Sequence, residues 1–156
     1  MRKNALILSA VLIVVGLSAG CDKSKEFAKM TDRVAGYVET GTDIVERQAA
    51  AGNISTAAQI EVLKTLQAIN TINGEILVEA KKYQSADGKK LVLDGTGKEN
   101  LLRIIGSGQS ALQALMTNEQ FLTIQPGRRV EIVAVISDLT ETFSVMVELV
   151  DAVKTK

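Results

Sequence analysis

The residue types that carry most enzyme chemistry are scarce in this sequence. Its 156 residues include no histidine and one cysteine, Cys21, beside 18 acidic and 18 basic residues. Without histidine the chain lacks the commonest general base, imidazole-based metal sites and histidine-ligated haem. One cysteine excludes a disulfide within the chain. We therefore expect neither a metal site nor a cofactor.

Two short segments resemble ligand-binding loops but lack required positions. The stretch 95–99, Gly-Thr-Gly-Lys-Glu, has Val92 where a phosphate-binding loop needs its first glycine, and Glu99 where it needs serine or threonine. A calcium loop starting at Asp87 would lack carboxylates at its third and fifth positions. No acidic residue falls on the heptad positions described below, which argues against an inward pair of catalytic carboxylates. The sequence predicts that the protein is not an enzyme.

Arg128 and Arg129 are the remaining candidate binding residues. They fall in the first turn of a predicted helix, where cations oppose the helix dipole. An anion bound by backbone amides and the guanidinium groups would explain them. Two solvated arginines are the alternative. Nucleic acid is not expected as a partner, since residues 21–156 hold 16 basic against 18 acidic residues and lack a basic stripe.

The N-terminus has the layout of a secretory signal. Arg2 and Lys3 precede an apolar run from Ala5 to Leu17, which small residues follow. The run of 13 residues is shorter than the roughly 20 that a membrane-spanning helix needs. An uncleaved anchor, or an ordinary signal followed by a chance cysteine, is the alternative to the interpretation that follows.

The end of this run, Leu17-Ser18-Ala19-Gly20-Cys21, resembles the lipobox of bacterial lipoproteins. The resemblance implies that 1–20 is a signal peptide cleaved before Cys21, and that Cys21 carries a diacylglycerol on its sulfur and an acyl group on its amino terminus. The mature chain, 21–156, would then be tethered to the extracytoplasmic side of a membrane. Asp22 resembles the signal that retains lipoproteins at the inner membrane. Lys23 departs from the strongest form of that signal, so either membrane stays open.

Four segments of the mature chain carry apolar residues at alternating steps of three and four, which predicts four helices. The first runs from Phe27 to about Ala49, the second from Thr56 to Tyr83, the third from about Lys98 to Asn118 and the last from Pro126 onward. Their heptad positions are Phe27, Met30, Val34, Tyr37, Gly41 and Ile44; Val62, Leu66, Ile69, Asn73, Ile76, Ala80 and Tyr83; Leu101, Ile105, Gly108, Leu112 and Leu115; and Ile132, Ile136, Leu139, Phe143, Met146, Val150 and Val153.

Short connections between these segments predict an all-α, antiparallel up-down-up-down four-helix bundle of one domain. The segment from Ser85 to Gly97 is predicted to be a loop or a small hairpin whose triplet 91–93 covers the core beside the shorter third helix. Folding the charges onto the bundle places ten of the eleven lysines after Cys21 in the half nearest that residue. Lys89 and Lys90 would then contact anionic lipid headgroups.

These features predict a membrane-anchored helical lipoprotein that acts as a protein-interaction or structural module of the cell envelope. Its partners would be the bilayer, through lipidated Cys21, and another envelope protein. The alternative is a lipoprotein that holds an apolar or anionic small molecule between its helices. The sequence does not identify the partner or the ligand.

Overall fold

The computed structural model describes residues 23–86 and 90–153, and this part of the chain is helical. Its elements are α1 (Lys23–Ala50), α2 (Thr56–Lys81), α3 (Gly95–Met116), the short α4 (Glu119–Leu122) and α5 (Pro126–Ala152). The expected all-α class is confirmed. The bundle also contains a turn of helix, α4, where the sequence predicted an irregular connector.

The helix ends follow from local side-chain chemistry. Ser55 begins α2, because its hydroxyl accepts a hydrogen bond from the amide of Ala58. The helix itself starts at Thr56, as predicted. Asp94 begins α3 in the same way, through the amide of Gly97. This helix therefore starts three residues earlier than predicted, because Asp94, within the predicted loop 85–97, is a helix cap.

The four long helices enclose one aliphatic core. Helix α1 packs against α2 and α5, and α3 packs against the same two helices. Nearly all predicted heptad positions are buried; Tyr37, Ile44 and Tyr83 are half-buried. Tyr83 lies beyond the end of α2, and its ring packs against Gly97 instead of continuing the helix. The heptad pattern thus predicted which face of each helix is internal.

The connection between α2 and α3 closes one end of the core. Gln84 and Leu91 form an antiparallel bridge, and the amide of Val92 donates to the carbonyl of Tyr83 over 2.8 Å. Leu93 is fully buried and Leu91 nearly so. The prediction that this apolar segment covers the core is therefore confirmed for both leucines, whereas Val92 is only half-buried.

Asn73 is a polar residue inside the core and links α1 to α2. Its Nδ2 donates to the carbonyl of Thr31 over 2.9 Å, while its Oδ1 is buried without a hydrogen-bond partner. A polar residue at a heptad position can fix the register of neighbouring helices. The contact with Thr31 defines one relative position of α1 and α2, as such a role requires.

Candidate membrane-contact surface

One end of the described structure collects most of its lysines. The ammonium group of Lys23, at the start of α1, donates to the carbonyl of Ala152, at the end of α5, over 2.8 Å. Lys98, near the start of α3, pairs with Asp151 of α5 at 3.0 Å. We call this the lysine end. Its described lysines are Lys23, Lys25, Lys29, Lys81, Lys82, Lys90 and Lys98, so that among the described lysines only Lys64 lies elsewhere.

Part of this charge has a structural role. Lys23 and Lys98 donate to the last carbonyls of α5, where cations complement the helix dipole. Lys82 pairs with Glu79 at 2.6 Å. In contrast, the ammonium groups of Lys29, Lys81 and Lys90 have no ion pair or hydrogen bond within the described residues, and all three residues are exposed. These three cations are available to a ligand or surface outside the chain.

Glu79 links α2 to α3 at the lysine end, and its position off the heptad pattern did not mark it as a candidate residue. It is 7% exposed, and its carboxylate accepts hydrogen bonds from Lys82 and, over 3.1 Å, from Asn100 of α3. The hydrogen bond from Lys82 lowers the pKa of Glu79, and Asn100 and the nearby Arg103 act in the same direction. The carboxylate therefore stays charged and joins the end of α2 to the start of α3.

The predicted site residues fall at different places. Lys90 is at the lysine end, between α2 and α3, and is exposed. Cys21 and Lys89 lie outside the described residues. Arg128 and Arg129 lie at the start of α5, remote from the lysine end.

The two arginines are not arranged alike. The guanidinium carbon of Arg129 lies 5.6 Å from the centre of the Phe121 ring, a cation–π contact, whereas Arg128 is exposed. The backbone amides of both residues already donate to the carbonyl of Gln125. An anion at this position would therefore have to bind the guanidinium groups without those amides. Anion binding by Arg128 and Arg129 stays a prediction.

Within the described residues, a membrane span and a metal site are absent, and a shallow groove lies between two helices. No helix within 23–86 and 90–153 is both long and apolar enough to cross a bilayer. In the same residues, no three acidic side chains are close enough together to hold a metal ion. A shallow groove of about 530 Å³ lies between α2 and α3, lined by Thr71, Gly74, Glu75, Val78, Glu79, Arg103 and Ile104.

Comparison with known proteins assigns no relatives to the chain. No protein-family model matches it, and no curated protein or solved structure matches it either.

Proposed function

We propose that this protein is a lipid-anchored, extracytoplasmic lipoprotein of the cell envelope that acts as an interaction or structural module. The segment 17–21, with its resemblance to a lipobox, is the observation that carries the proposal. Two or three acyl chains on Cys21 bury enough CH₂ groups for stable attachment to a bilayer. The protein would have no catalytic role.

The proposal includes an up-down-up-down arrangement of α1, α2, α3 and α5. Contacts at both ends of the helices support it. Lys23 at the start of α1 meets the last turn of α5, and Arg47 near the end of α1 pairs with Glu131 near the start of α5 at 3.0 Å. The four-residue spacing of Asp43 and Arg47 favours an ion pair within α1, but the structure pairs Arg47 with Glu131. That contact between helices supports antiparallel packing.

The anchor and the lysine end would lie together. Cys21 precedes Lys23 by two residues, which span at most about 7 Å of chain. Acyl chains on Cys21 would therefore hold the lysine end near the lipid headgroups, where each cation adds up to about 1 kcal/mol of attraction to anionic lipid. The opposite half of the bundle, residues 37–69 and 108–141, holds 4 basic and 8 acidic residues. It would face away from the membrane. Asp22 favours the inner membrane.

Replacing Cys21 by serine tests the anchor. We expect the Cys21→Ser protein to leave the membrane fraction after a carbonate wash, because sulfur is the acylated atom. Immunoblotting of washed membranes and supernatant measures the distribution. Retention of the Cys21→Ser protein in washed membranes would contradict the proposal.

The second hypothesis, a small molecule held between the helices, gains no support from the interior. The unpaired Oδ1 of Asn73 requires a hydrogen-bond donor. An apolar or anionic ligand offers none, whereas one buried water would satisfy it. Ligand binding therefore stays a prediction from the sequence alone.

A further inference from the structure

The adjoining outer faces of α2 and α3 lack charge over the middle of α2 and over the C-terminal half of α3. No charged residue occurs from Thr65 to Gly74 of α2, nor from Ile104 to Asn118, which includes the rest of α3. Side chains on this surface are small or uncharged, and we call it the α2–α3 face; its exposed members include Gln67, Ala68, Thr71, Gly74, Ser107, Ser110 and Ala114. An exposed helix face normally carries charged and polar side chains, and here the charged ones are missing. Depletion of charged residues is a property of the centre of protein interfaces.

Two opposite charges border this face at the same height. Asn100 donates a hydrogen bond to Glu79, and Asn118 donates one to Glu61. Moving 18 residues forward along the α3 side therefore corresponds to moving 18 residues back along α2, which shows which residues of the two helices are at the same height. Glu75 is therefore level with residue 104, next to Arg103, and both line the groove between the helices. Neither Glu75 nor Arg103 forms an ion pair or hydrogen bond within the described residues.

We propose that a second copy of this chain packs against the α2–α3 face, side by side in the same orientation. A two-fold axis parallel to the bundle then places α2 of one copy against α3 of the other and preserves height. Glu75 of each copy meets Arg103 of its partner, and the contact occurs twice because such an interface is self-complementary. Small side chains between these pairs allow the helices to approach closely.

The orientation of this face suits a dimer, and its uncharged stretches on two adjacent helices would form the centre of an interface that the two charge pairs border. Both copies would have their lysine ends at the same side. That orientation is the one available to two molecules anchored through Cys21 in one membrane, and in this respect alone the dimer depends on the proposed function.

Charge reversal in two differently tagged, full-length copies tests the interface. Glu75→Arg would place two arginines at each contact, and Arg103→Glu would place two carboxylates there. We expect either variant, paired with itself, to lower co-purification from detergent extracts about tenfold. A Glu75→Arg copy paired with an Arg103→Glu copy restores opposite charges at both contacts, so this mixture should recover wild-type co-purification.

Recovery of co-purification in the mixture would show that the two substitutions act across an interface, because a second chain cannot repair damage within the first. Glu141→Arg, an equal change on the exposed face of α5, is the matched control and should leave co-purification unchanged. Three results would overturn the dimer: wild-type copies that do not co-purify, single variants that behave like the control, or a mixture that stays apart. None of these results depends on the Cys21→Ser experiment, so either proposal can fail without the other.

Discussion

Two glycines of α3 differ sharply in their surroundings. A methyl group added to Gly108 would lie 2.8 Å from the Phe143 ring, whereas one added to Gly106 would meet nothing within 4 Å. We expect Gly108→Ala to lower the free energy of unfolding by about 1–3 kcal/mol through overpacking. Gly106→Ala should raise it by about 0.5–1 kcal/mol, since alanine favours the helix. Urea unfolding of both variants measures the difference; equal effects would contradict this packing.

Glu79 predicts a pH dependence at the residue scale. Its pKa lies below the ordinary value of 4.5, mainly because Lys82 donates a hydrogen bond to its carboxylate. A lowered pKa in the folded state stabilises the protein above pH 4.5, and this contribution is lost as the pH falls through the lowered value. We expect Glu79→Gln to unfold more easily than wild type at pH 7, with a difference that shrinks in acid. A difference that is constant with pH would refute the role given to Glu79.

Single residues were predictable from the sequence where the heptad pattern governs them. Gly108 is on that pattern and is buried against the Phe143 ring, whereas Gly106 is off the pattern and has open space around it. Glu79 lies off the heptad positions. Its pair with Lys82 is a local contact between residues three apart, but its burial also depends on Asn100, and that contact forms only when α2 and α3 pack together. Local spacing in the sequence carries no signal for such a contact.

Among the elements, the connection between α2 and α3 is the most informative. Leu93 is fully buried although it lies outside any helix. We expect Leu93→Ser to lower the free energy of unfolding by about 2–5 kcal/mol, the range for removing a large buried aliphatic side chain. Val92→Ser, at the half-buried neighbouring position, is the matched control and should cost less. Thermal unfolding followed by circular dichroism measures both. Equal losses would mean that this segment does not cover the core.

Helices were predictable as elements, and so were the starts of α2 at Thr56 and of α5 at Pro126, whereas the start of α3 and the capping residue of α2 were not. Alternation of three and four residues locates the buried face of each helix, because it matches the helical period. Caps depend on backbone angles that the sequence leaves open: Ser55 and Thr56 are chemically equivalent as caps, and the structure selects Ser55. Helix α4 was missed because its four residues are too few to show any period. Asn118 caps it through the amides of Gln120 and Phe121.

At the scale of the whole molecule, the described chain has an end rich in lysine and an opposite end with few basic residues, where acidic residues are in excess. The sequence placed the lysines in one half once up-down packing was assumed. Contacts of Lys23 and Lys98 with the last turn of α5 bring three helix ends together there. The sequence did not predict which lysines can contact a membrane, because the ammonium groups of Lys82 and Lys98 form ion pairs within the fold.

Vesicle binding by the lipid-free domain, 23–156, tests most directly the central claim that the lysine end lies on a membrane. Replacing Lys89 and Lys90 by glutamate changes the local charge from +2 to −2. We expect the affinity for anionic vesicles at low salt to fall about tenfold, with little change for neutral vesicles. The control, Lys64→Glu with Arg128→Glu, makes an equal change in net charge away from the lysine end. Its affinity should stay near that of the wild-type domain. Equal binding by wild type and the Lys89, Lys90 variant, or an equal loss in the control, would contradict the account.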